Sequence, residues 1–407
     1  MRIAVIGGGP AGLRAAEVAA TDGARVTLFD AKPSVGRKLL VAGRGGLNLS
    51  KAEPPEQFAG HYGGGAGMPP ETWSAMLAGF GLEALREWTA GLGIETFAAS
   101  TGRVYPRDLK AAPLLRRWVE RLHRLGVTFA MKHRWSGLEP GPPLRLRFAT
   151  ETGETMAEAD AAIFALGGAS WPGTGSDGGW VPLMEAHGVA VAPLRPANNG
   201  WETPWPPSVL EAAEGLPLKN IALRAGGRQV RGELLLTRYG LEGGALYQLG
   251  AILREMPGPE VAIDFKPEGS AERLLARLGG AVSVERAAAA WRLSPAAAAL
   301  LRSREPYRDA AALVAEARRF RVALSGPRPI EEAISSAGGI RWPEVDATLQ
   351  LRRLPGCFVA GEMLDWEAPT GGYLIHGCLA SGTHAARGAL ATGKAAPPAA
   401  ARNTQGS

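Results

Sequence analysis

The sequence predicts an α/β protein in which a domain built on a parallel sheet is interrupted by a β-rich and a helical insert. Three observations predict this architecture. The first thirty residues alternate strand, glycine turn, helix and strand. Apolar segments typical of strands buried on both faces recur near residues 160 and 358. Near residue 190 the composition changes to short alternating segments and then to an Ala- and Leu-rich stretch.

The N-terminal segment has the pattern of a dinucleotide-binding unit. Residues 2–6 predict a buried strand, and a second strand ends at Asp30. Between them Gly7, Gly9 and Gly12 stand in GxGxxG spacing. In such a unit the first glycine makes a tight turn, the second lets the backbone approach a pyrophosphate, and the third lets helix and strand pack closely. The acid at the end of the second strand, here Asp30, accepts a hydrogen bond from a ribose hydroxyl, and the helix N-terminus binds phosphate. The unit predicts a bound dinucleotide, either FAD or NAD(P).

Length and composition exclude several classes of protein. A chain of 407 residues is long enough for two or three domains. Two cysteines make neither a disulfide framework nor a zinc cluster, and we expect no metal. No apolar run reaches the ~20 residues of a bilayer crossing and glycines interrupt any signal-peptide core, so we expect a cytoplasmic protein without membrane contact. The net charge of +6 comes from scattered arginines, which favours an anionic cofactor or substrate over nucleic acid.

The segment after the dinucleotide unit predicts anion-binding loops. Residues 31–50 place Arg37, Lys38 and Arg44 among glycines. Backbone N–H groups in such a loop can bind an anion, and the cations add charge; the alternative is a solvated basic loop. Residues 52–70 are rich in Pro and Gly and predict an exposed loop or flexible lid.

The middle of the chain predicts two helices and further strands. We expect helices over 71–91 and 109–125, a strand over 126–139, and a hairpin that starts with LRLRFAT. The apolar segment 159–166 predicts a parallel strand that ends at a second glycine-rich loop. That loop lacks a following helix of small residues and a downstream acid, so it is not a second dinucleotide fingerprint.

The C-terminal half predicts an insert followed by a return to the first domain. A strand near 357–360 ends in Gly361-Glu362, and a helix over 373–390 follows Gly371-Gly372. The predicted divisions are the nucleotide-binding domain at 1–190 and 325–390, a β-barrel or sandwich at 191–265, a helical bundle at 266–324 and a disordered tail at 391–407.

Four motifs, in order, resemble the YhiN/BaiN-type family of FAD-dependent oxidoreductases, some of whose members carry an aminoacetone-oxidase label. They are GRKLLVAGRGGLNLS, ALGGASWPGTGSDGG, GELLLTRYGLEGGA, and GCFVAGEMLD followed by TGGY. The resemblance covers residue 1 to about 390. It implies FAD as the cofactor, and a Rossmann-like FAD-binding domain interrupted by a β-barrel-like and a small helical insert.

The resemblance also implies which residues touch FAD. Carried over by position, they are Gly7, Gly9, Pro10, Ala11, Gly12, Asp30, Ala31, Lys32, Arg37, Lys38, Gly43, Arg44, Gly45, Gly46, Leu47, Trp135, Ala165, Gly167, Gly361, Glu362, Gly371, Gly372, Tyr373 and Leu374. Trp135 stands where the family usually has Val and would offer its backbone to the adenine. Asp30 replaces a common Glu, and Gly46-Leu47 replaces a common Arg-Cys pair.

The implied function is that of an FAD-dependent oxidoreductase on a small organic substrate. Transient NAD(P)H would supply electrons; an O2-using oxidase or monooxygenase and a non-catalytic FAD-binding or RNA-interacting protein are the alternatives. Tyr105 and His376 are candidate substrate residues. Packing explains Tyr105 equally well, and a satisfied helix histidine is the favoured alternative for His376. The insert over 191–324 is expected either to cap the flavin or to serve as an appendage or oligomer surface.

Overall fold

The computed structural model describes residues 1–280 and 282–395. The chain divides into two compact units, each with its own apolar core. The first unit joins Met1–Leu194 to Ala337–Ser407, and the second is Arg195–Ser336. The second unit thus begins after residue 194 rather than 190 and ends at 336 rather than 324. Its predicted β-rich and helical parts share one core.

A five-stranded parallel sheet organises the first unit. In order across the sheet its strands are Cys357–Val359, Ala161–Phe164, Arg2–Ile6, Arg25–Asp30 and Thr128–Met131. The residues of the central strand from Ile3 to Ile6 are buried, as a parallel sheet covered on both faces requires. Because the strands are parallel, the loops that carry the glycine motifs leave the sheet at one edge.

Helices cover this sheet, and two of them pack directly on each other. Pro10–Thr21 lies against the long C-terminal helix Tyr373–Ala395, and a Cβ on Gly382 would collide with the carbonyl of Ala11. The other α-helices of the unit are Arg37–Ala42, Pro55–Ala59, Thr72–Gly79, Leu82–Gly91, Ala111–Arg124 and Val181–Glu185. The C-terminal helix Tyr373–Ala395 extends five residues into the predicted disordered tail. Residues 396–407 of that tail lie outside the described residues.

Three predicted elements differ from the structure. The helix expected over 71–91 is two helices, because Phe80 is extended and Gly81 caps the second. The strand expected over 126–139 divides at Lys132, which has a left-handed backbone. The loop or lid expected over 52–70 contains a helix, and its Phe58 and Tyr62 belong to the apolar core.

Two small antiparallel sheets complete the first unit. Arg134–Glu139, Leu144–Thr150 and Gly153–Ala159 form one, which includes the predicted hairpin. Thr96–Ala98, Arg103–Pro106 and Ser50–Lys51 form the other. Val191–Ala197 and Ser335–Ile340 form a separate two-stranded sheet. The sheet that contains Arg103–Pro106 places this strand beside the loop that follows residue 43, since Ser50 pairs with Val104.

The second unit contains a seven-stranded antiparallel sheet. In order its strands are Phe320–Ala323, Glu260–Asp264, Pro217–Ala225, Arg228–Thr237, Gly240–Glu242, Trp201–Glu202 and Gly326–Pro327. The two end strands are consecutive in the chain, so the sheet must curl back towards its own start, as the barrel-like expectation requires.

Four helices of the second unit begin at a residue whose side chain satisfies one of their first amides. Its helices are Pro207–Ala213, Gly244–Tyr247, Gly250–Glu255, Ala271–Leu278, Val284–Trp291, Pro295–Arg302 and Ala310–Arg318. The last four carry side-chain N-caps: Ser270, Ser283, Ser294 and Asp309 each accept a backbone N–H. Within the described residues no helix has the length and apolarity of a membrane span.

Candidate functional site

A cleft opens at the edge of the parallel sheet where four strands end. We call it the cofactor cleft. Twelve of its lining residues were predicted from the sequence: Gly7, Gly9, Pro10, Ala11, Asp30, Ala31, Arg37, Lys38, Ala165, Gly167, Gly361 and Glu362. Nine were not: Gly8, Ser34, Gly36, Leu166, Thr174, Gly175, Ser176, Ala360 and Cys378. Parallel strands bring these loops together because their carboxyl ends share one edge.

The glycines of the first loop have different structural roles. Gly7 has a φ of 105°, and a Cβ there would collide with the Ala165 carbonyl. A Cβ on Gly12 would collide with the carbonyl of Gly7. By contrast, a Cβ on Gly9 would meet no atom within 4 Å. Gly7 and Gly12 are therefore required by protein packing, whereas Gly9 leaves open the space beside the helix N-terminus.

Asp30 joins the glycine loop to the basic loop. Its carboxylate accepts the Gly8 N–H at 2.8 Å and the Lys32 N–H at 2.7 Å. Burial raises the pKa of Asp30, and the two backbone donors oppose that rise. The acid thus faces the cleft in a fixed position, where its contact with a ribose remains a prediction. Lys32 itself is not a lining residue.

One ion pair connects the basic loop with the last strand. The Lys38 ammonium donates to Glu362 Oε2 and to Ser170 Oγ, both at 2.7 Å. The Gly361 N–H, at a residue with a φ of 71°, donates to Ser381 Oγ at 3.0 Å. The positions of Lys38 and Glu362 are therefore set by each other and by buried neighbours.

The polar groups of the cleft fit FAD. Ser176 Oγ and Arg37 Nε are buried and have no hydrogen-bond partner in the described chain. Buried polar atoms without a partner are rare in folded proteins unless a ligand or water satisfies them. The helix that starts after Gly9 has no side-chain cap and no acid in its first turn, so its N–H groups are free for phosphate. These donors suit the pyrophosphate and hydroxyl groups of a dinucleotide.

The remaining predicted cofactor residues lie outside this cleft. They are Gly12, Lys32, Gly43, Arg44, Gly45, Gly46, Leu47, Trp135, Gly371, Gly372, Tyr373 and Leu374. Trp135 is buried, donates its indole N–H to the Gly137 carbonyl and packs on Phe164. The loop of residues 43–47 and the turn of residues 371–374 both border the strand Arg103–Pro106, because a Cβ on Gly46 would lie 3.7 Å from Tyr105 Cε1 and one on Gly371 would lie 3.9 Å from Arg103 Nε. These two segments form a second group, whose contact with FAD remains a prediction.

Tyr373 is anchored by charged residues that the sequence analysis missed. Its hydroxyl donates to Glu53 at 2.8 Å and lies 3.2 Å from Lys51 Nζ. The Glu53 side chain is 6% exposed and also pairs with Lys51 at 2.8 Å and with His61 at 3.2 Å. Burial and the Glu53 carboxylate raise the pKa of Tyr373. The phenol is therefore a neutral anchor for the start of the C-terminal helix.

Tyr105 and His376 have different surroundings. Tyr105 is half-buried, and its ring lies 6.0 Å from that of Phe97. His376 is buried; its Nδ1 bonds Ser50 Oγ at 2.7 Å, and its Nε2 donates to the Phe80 carbonyl at 2.9 Å. Both ring nitrogens are satisfied within the protein, so the structure favours a structural histidine over the predicted substrate residue.

The burial of His376 predicts a pH dependence of stability. Burial lowers the pKa of His376 from 6.5 to about 4. Between these values the unfolded chain binds more protons than the folded chain, so stability is lost as the pH falls from about 6.5 towards 4. We expect this group to contribute about 3 kcal/mol of that loss. Urea unfolding of wild type and His376→Gln across this range measures it, and parallel pH profiles for the two proteins would contradict it.

Cys378 lines the cofactor cleft with a thiol that we expect to be unreactive. Its thiol lines the cleft, and burial raises its pKa to about 12. A thiol with this pKa stays neutral and is a poor nucleophile. The sequence did not predict that Cys378 lines the cleft, because a cysteine within a helical pattern indicates a core residue. Ser176 could have been found, since it lies in the GTGSDGG loop.

Comparisons with known proteins identify the family of this chain. A family model described as the HI0933-like protein Rossmann domain matches residues 1–388. The 3-dehydro-bile acid delta(4,6)-reductase of Clostridium scindens is 29% identical, over 95% of this chain and 98% of that protein. The ribosomal RNA dihydrouridine synthase of Escherichia coli is 25% identical, over 91% of this chain and 93% of that protein.

Solved structures share the fold. The 3-ketosteroid-delta4-(5alpha)-dehydrogenase of Rhodococcus jostii has a TM-score of 0.52 at 17% identity, with 95% of each chain covered. E. coli quinol fumarate reductase FrdA has a TM-score of 0.53 at 16% identity, with 98% of this chain and 71% of that chain covered. The chain belongs to the HI0933-like Rossmann family, as its resemblance to YhiN/BaiN-type proteins predicted, and is an FAD-dependent oxidoreductase.

Proposed function

We propose that this protein is a reductase that saturates a carbon–carbon double bond conjugated to a carbonyl group. The observation that carries the proposal is the relationship to the C. scindens reductase, which extends over almost the whole of both chains. The names of both relatives denote reduction of a ring double bond. In a 3-oxo-4-ene and in uracil alike, that double bond is conjugated to a carbonyl, which makes its far carbon an acceptor of hydride.

The residues of the cofactor cleft suit this role. Reduced FAD, when bound, supplies the hydride, and the protein supplies binding, orientation and electrostatics. The open space at Gly9 and the free N–H groups of the following helix would bind the pyrophosphate. Arg37 Nε and Ser176 Oγ would gain the partners they lack in the protein. The Lys38–Glu362 pair would present a fixed carboxylate to a cofactor hydroxyl.

The proposed electron donor is NAD(P)H that binds transiently. The sequence has one GxGxxG unit and lacks the second fingerprint of enzymes with a full second nucleotide domain. A donor that binds, transfers hydride and leaves is consistent with this single unit. A small organic substrate would then bind in turn.

Anaerobic stopped-flow spectroscopy tests the proposal. The holoenzyme is mixed with NADH or NADPH, and the reduced enzyme is then mixed with a 3-oxo-4-ene steroid. We expect one nucleotide to reduce the flavin faster, and the steroid to reoxidise it with a product two hydrogens heavier. If the steroid stays unchanged and the flavin is reoxidised only when O2 is admitted afterwards, the proposal is contradicted and an oxidase is indicated.

Reduction of uridine in RNA is the second candidate function. Two relatives carry the name ribosomal RNA dihydrouridine synthase, and the net charge of +6 is compatible with a polyanionic substrate. The reduced holoenzyme is incubated with ribosomal RNA, and dihydrouridine is measured by mass spectrometry. Its formation would support this candidate. RNA binding with steep salt dependence but without dihydrouridine would indicate the non-catalytic alternative.

A further inference from the structure

One strand of the first unit presents two polar side chains on the same face. The strand Arg103–Pro106 is the middle strand of its small antiparallel sheet. Val104 is fully buried, whereas Arg103 is exposed and Tyr105 is half-buried. Side chains alternate between the faces of a strand, so Arg103 and Tyr105 project from the face opposite Val104.

This face borders the two segments of the second predicted cofactor group. A Cβ placed on Gly46 would lie 3.7 Å from Tyr105 Cε1, and one on Gly371 would lie 3.9 Å from Arg103 Nε. The strand is also tied to the loop after Gly46, since the Leu49 N–H donates to the Val104 carbonyl at 2.9 Å. Gly46 therefore lies beside Tyr105, and Gly371 lies beside Arg103.

Arg103 is a cation without a counterion in the described chain. Its guanidinium forms neither a hydrogen bond nor an ion pair with a described residue, and it adjoins the buried phenol of Tyr373. Arg107, two residues beyond Tyr105, is by contrast paired with Glu95 at 2.9 Å. An arginine has several donors in a fixed fork and stays charged at all physiological pH values, so it suits an oxygen that gains negative charge.

We propose that Arg103 binds the carbonyl oxygen of the substrate and that Tyr105 delivers the proton that completes the reduction. This inference rests on the proposed function. When a hydride from the reduced cofactor adds to the far carbon of the conjugated double bond, the electron pair of that bond moves onto the carbonyl oxygen. Arg103 stabilises this oxyanion. The carbon next to the carbonyl then takes the Tyr105 proton, the double bond is saturated, and water reprotonates the phenolate.

A titration without turnover tests the role of Arg103. The probe is 4-nitrophenolate, an aromatic oxyanion that resembles the charge of the enolate, added to the oxidised holoenzyme. We expect Arg103→Gln to weaken probe binding by about tenfold to a hundredfold, and Arg103→Lys to recover part of that loss. Arg107→Gln is the matched control and should bind the probe as wild type does. Equal affinity in wild type and Arg103→Gln would overturn the proposal.

Half-reactions separate this inference from the proposed function. Arg103→Gln should keep wild-type flavin reduction by NAD(P)H and lose about a hundredfold in reoxidation by the 3-oxo-4-ene steroid. Tyr105→Phe should bind the probe and be reduced by NAD(P)H as wild type is, and should lose about a hundredfold in reoxidation by the steroid. If wild type reduces no steroid but Arg103 still controls probe affinity, the proposed reaction fails while the oxyanion site stands. If both variants reduce the steroid at the wild-type rate, the inference is wrong.

Discussion

A Gly9→Val variant is expected to fold normally and to lose its bound FAD. Gly9 caps the first helix with φ −78° and ψ −178°, an extended conformation that valine adopts readily. A Cβ there meets no protein atom within 4 Å, so the branched side chain would enter the space beside the helix N-terminus. A pyrophosphate bound by that helix needs the same space. We expect affinity for FAD to fall by about a thousandfold or more, roughly 4 kcal/mol.

Two other glycine variants make this result specific. Gly258→Val is the matched control, because a Cβ on Gly258 also meets no atom within 4 Å and lies in the second unit. It should retain full flavin content. Gly12→Val should instead destabilise the fold, since its side chain collides with the Gly7 carbonyl. Flavin absorbance and circular dichroism distinguish these outcomes, and normal FAD content in Gly9→Val would show that the loop has only a structural role.

A Glu17→Ala variant is expected to lose about 3–5 kcal/mol of stability. The Glu17 side chain is buried and accepts four hydrogen bonds. The indoles of Trp88 and Trp118 donate at 2.9 and 2.8 Å, and the guanidinium groups of Arg121 and Arg14 donate at 2.9 and 3.2 Å. Removing the carboxylate leaves partly buried cations and buried indole N–H groups without their acceptor. The cost is that of uncompensated desolvation, which exceeds the net value of the ion pairs themselves.

A surface variant and a conservative variant test the physical cause. Glu83 pairs with Arg86 at 2.9 Å, but its side chain is 75% exposed. Glu83→Ala should therefore cost less than about 1 kcal/mol. Glu17→Gln keeps one acceptor oxygen and should fall between the two alanine variants. Urea unfolding measures all three, and a Glu17→Ala loss no larger than that of Glu83→Ala would contradict the role of burial.

The dinucleotide-binding unit and the fold class could be predicted from the sequence. Gly7, Gly9 and Gly12 lie within one strand–turn–helix segment. Their spacing is therefore enough to predict the tight turn at Gly7, the open space at Gly9 and the close packing at Gly12. Alternation and helical periodicity likewise indicated most strands and helices. Where prediction was wrong, a local backbone change decided the outcome, as at Lys132, whose left-handed conformation divides an apparently continuous strand.

The tertiary structure alone decided which distant residues meet. Lys38 and Glu362 form a 2.7 Å ion pair although 324 positions separate them in the chain. Both ring nitrogens of His376 are satisfied by Ser50 and Phe80, which lie far from it in the sequence. Periodicity reports which face of an element is apolar, but not which element covers it. The pairing of polar groups depends on strand order and helix packing, which arise from contacts across the whole first unit.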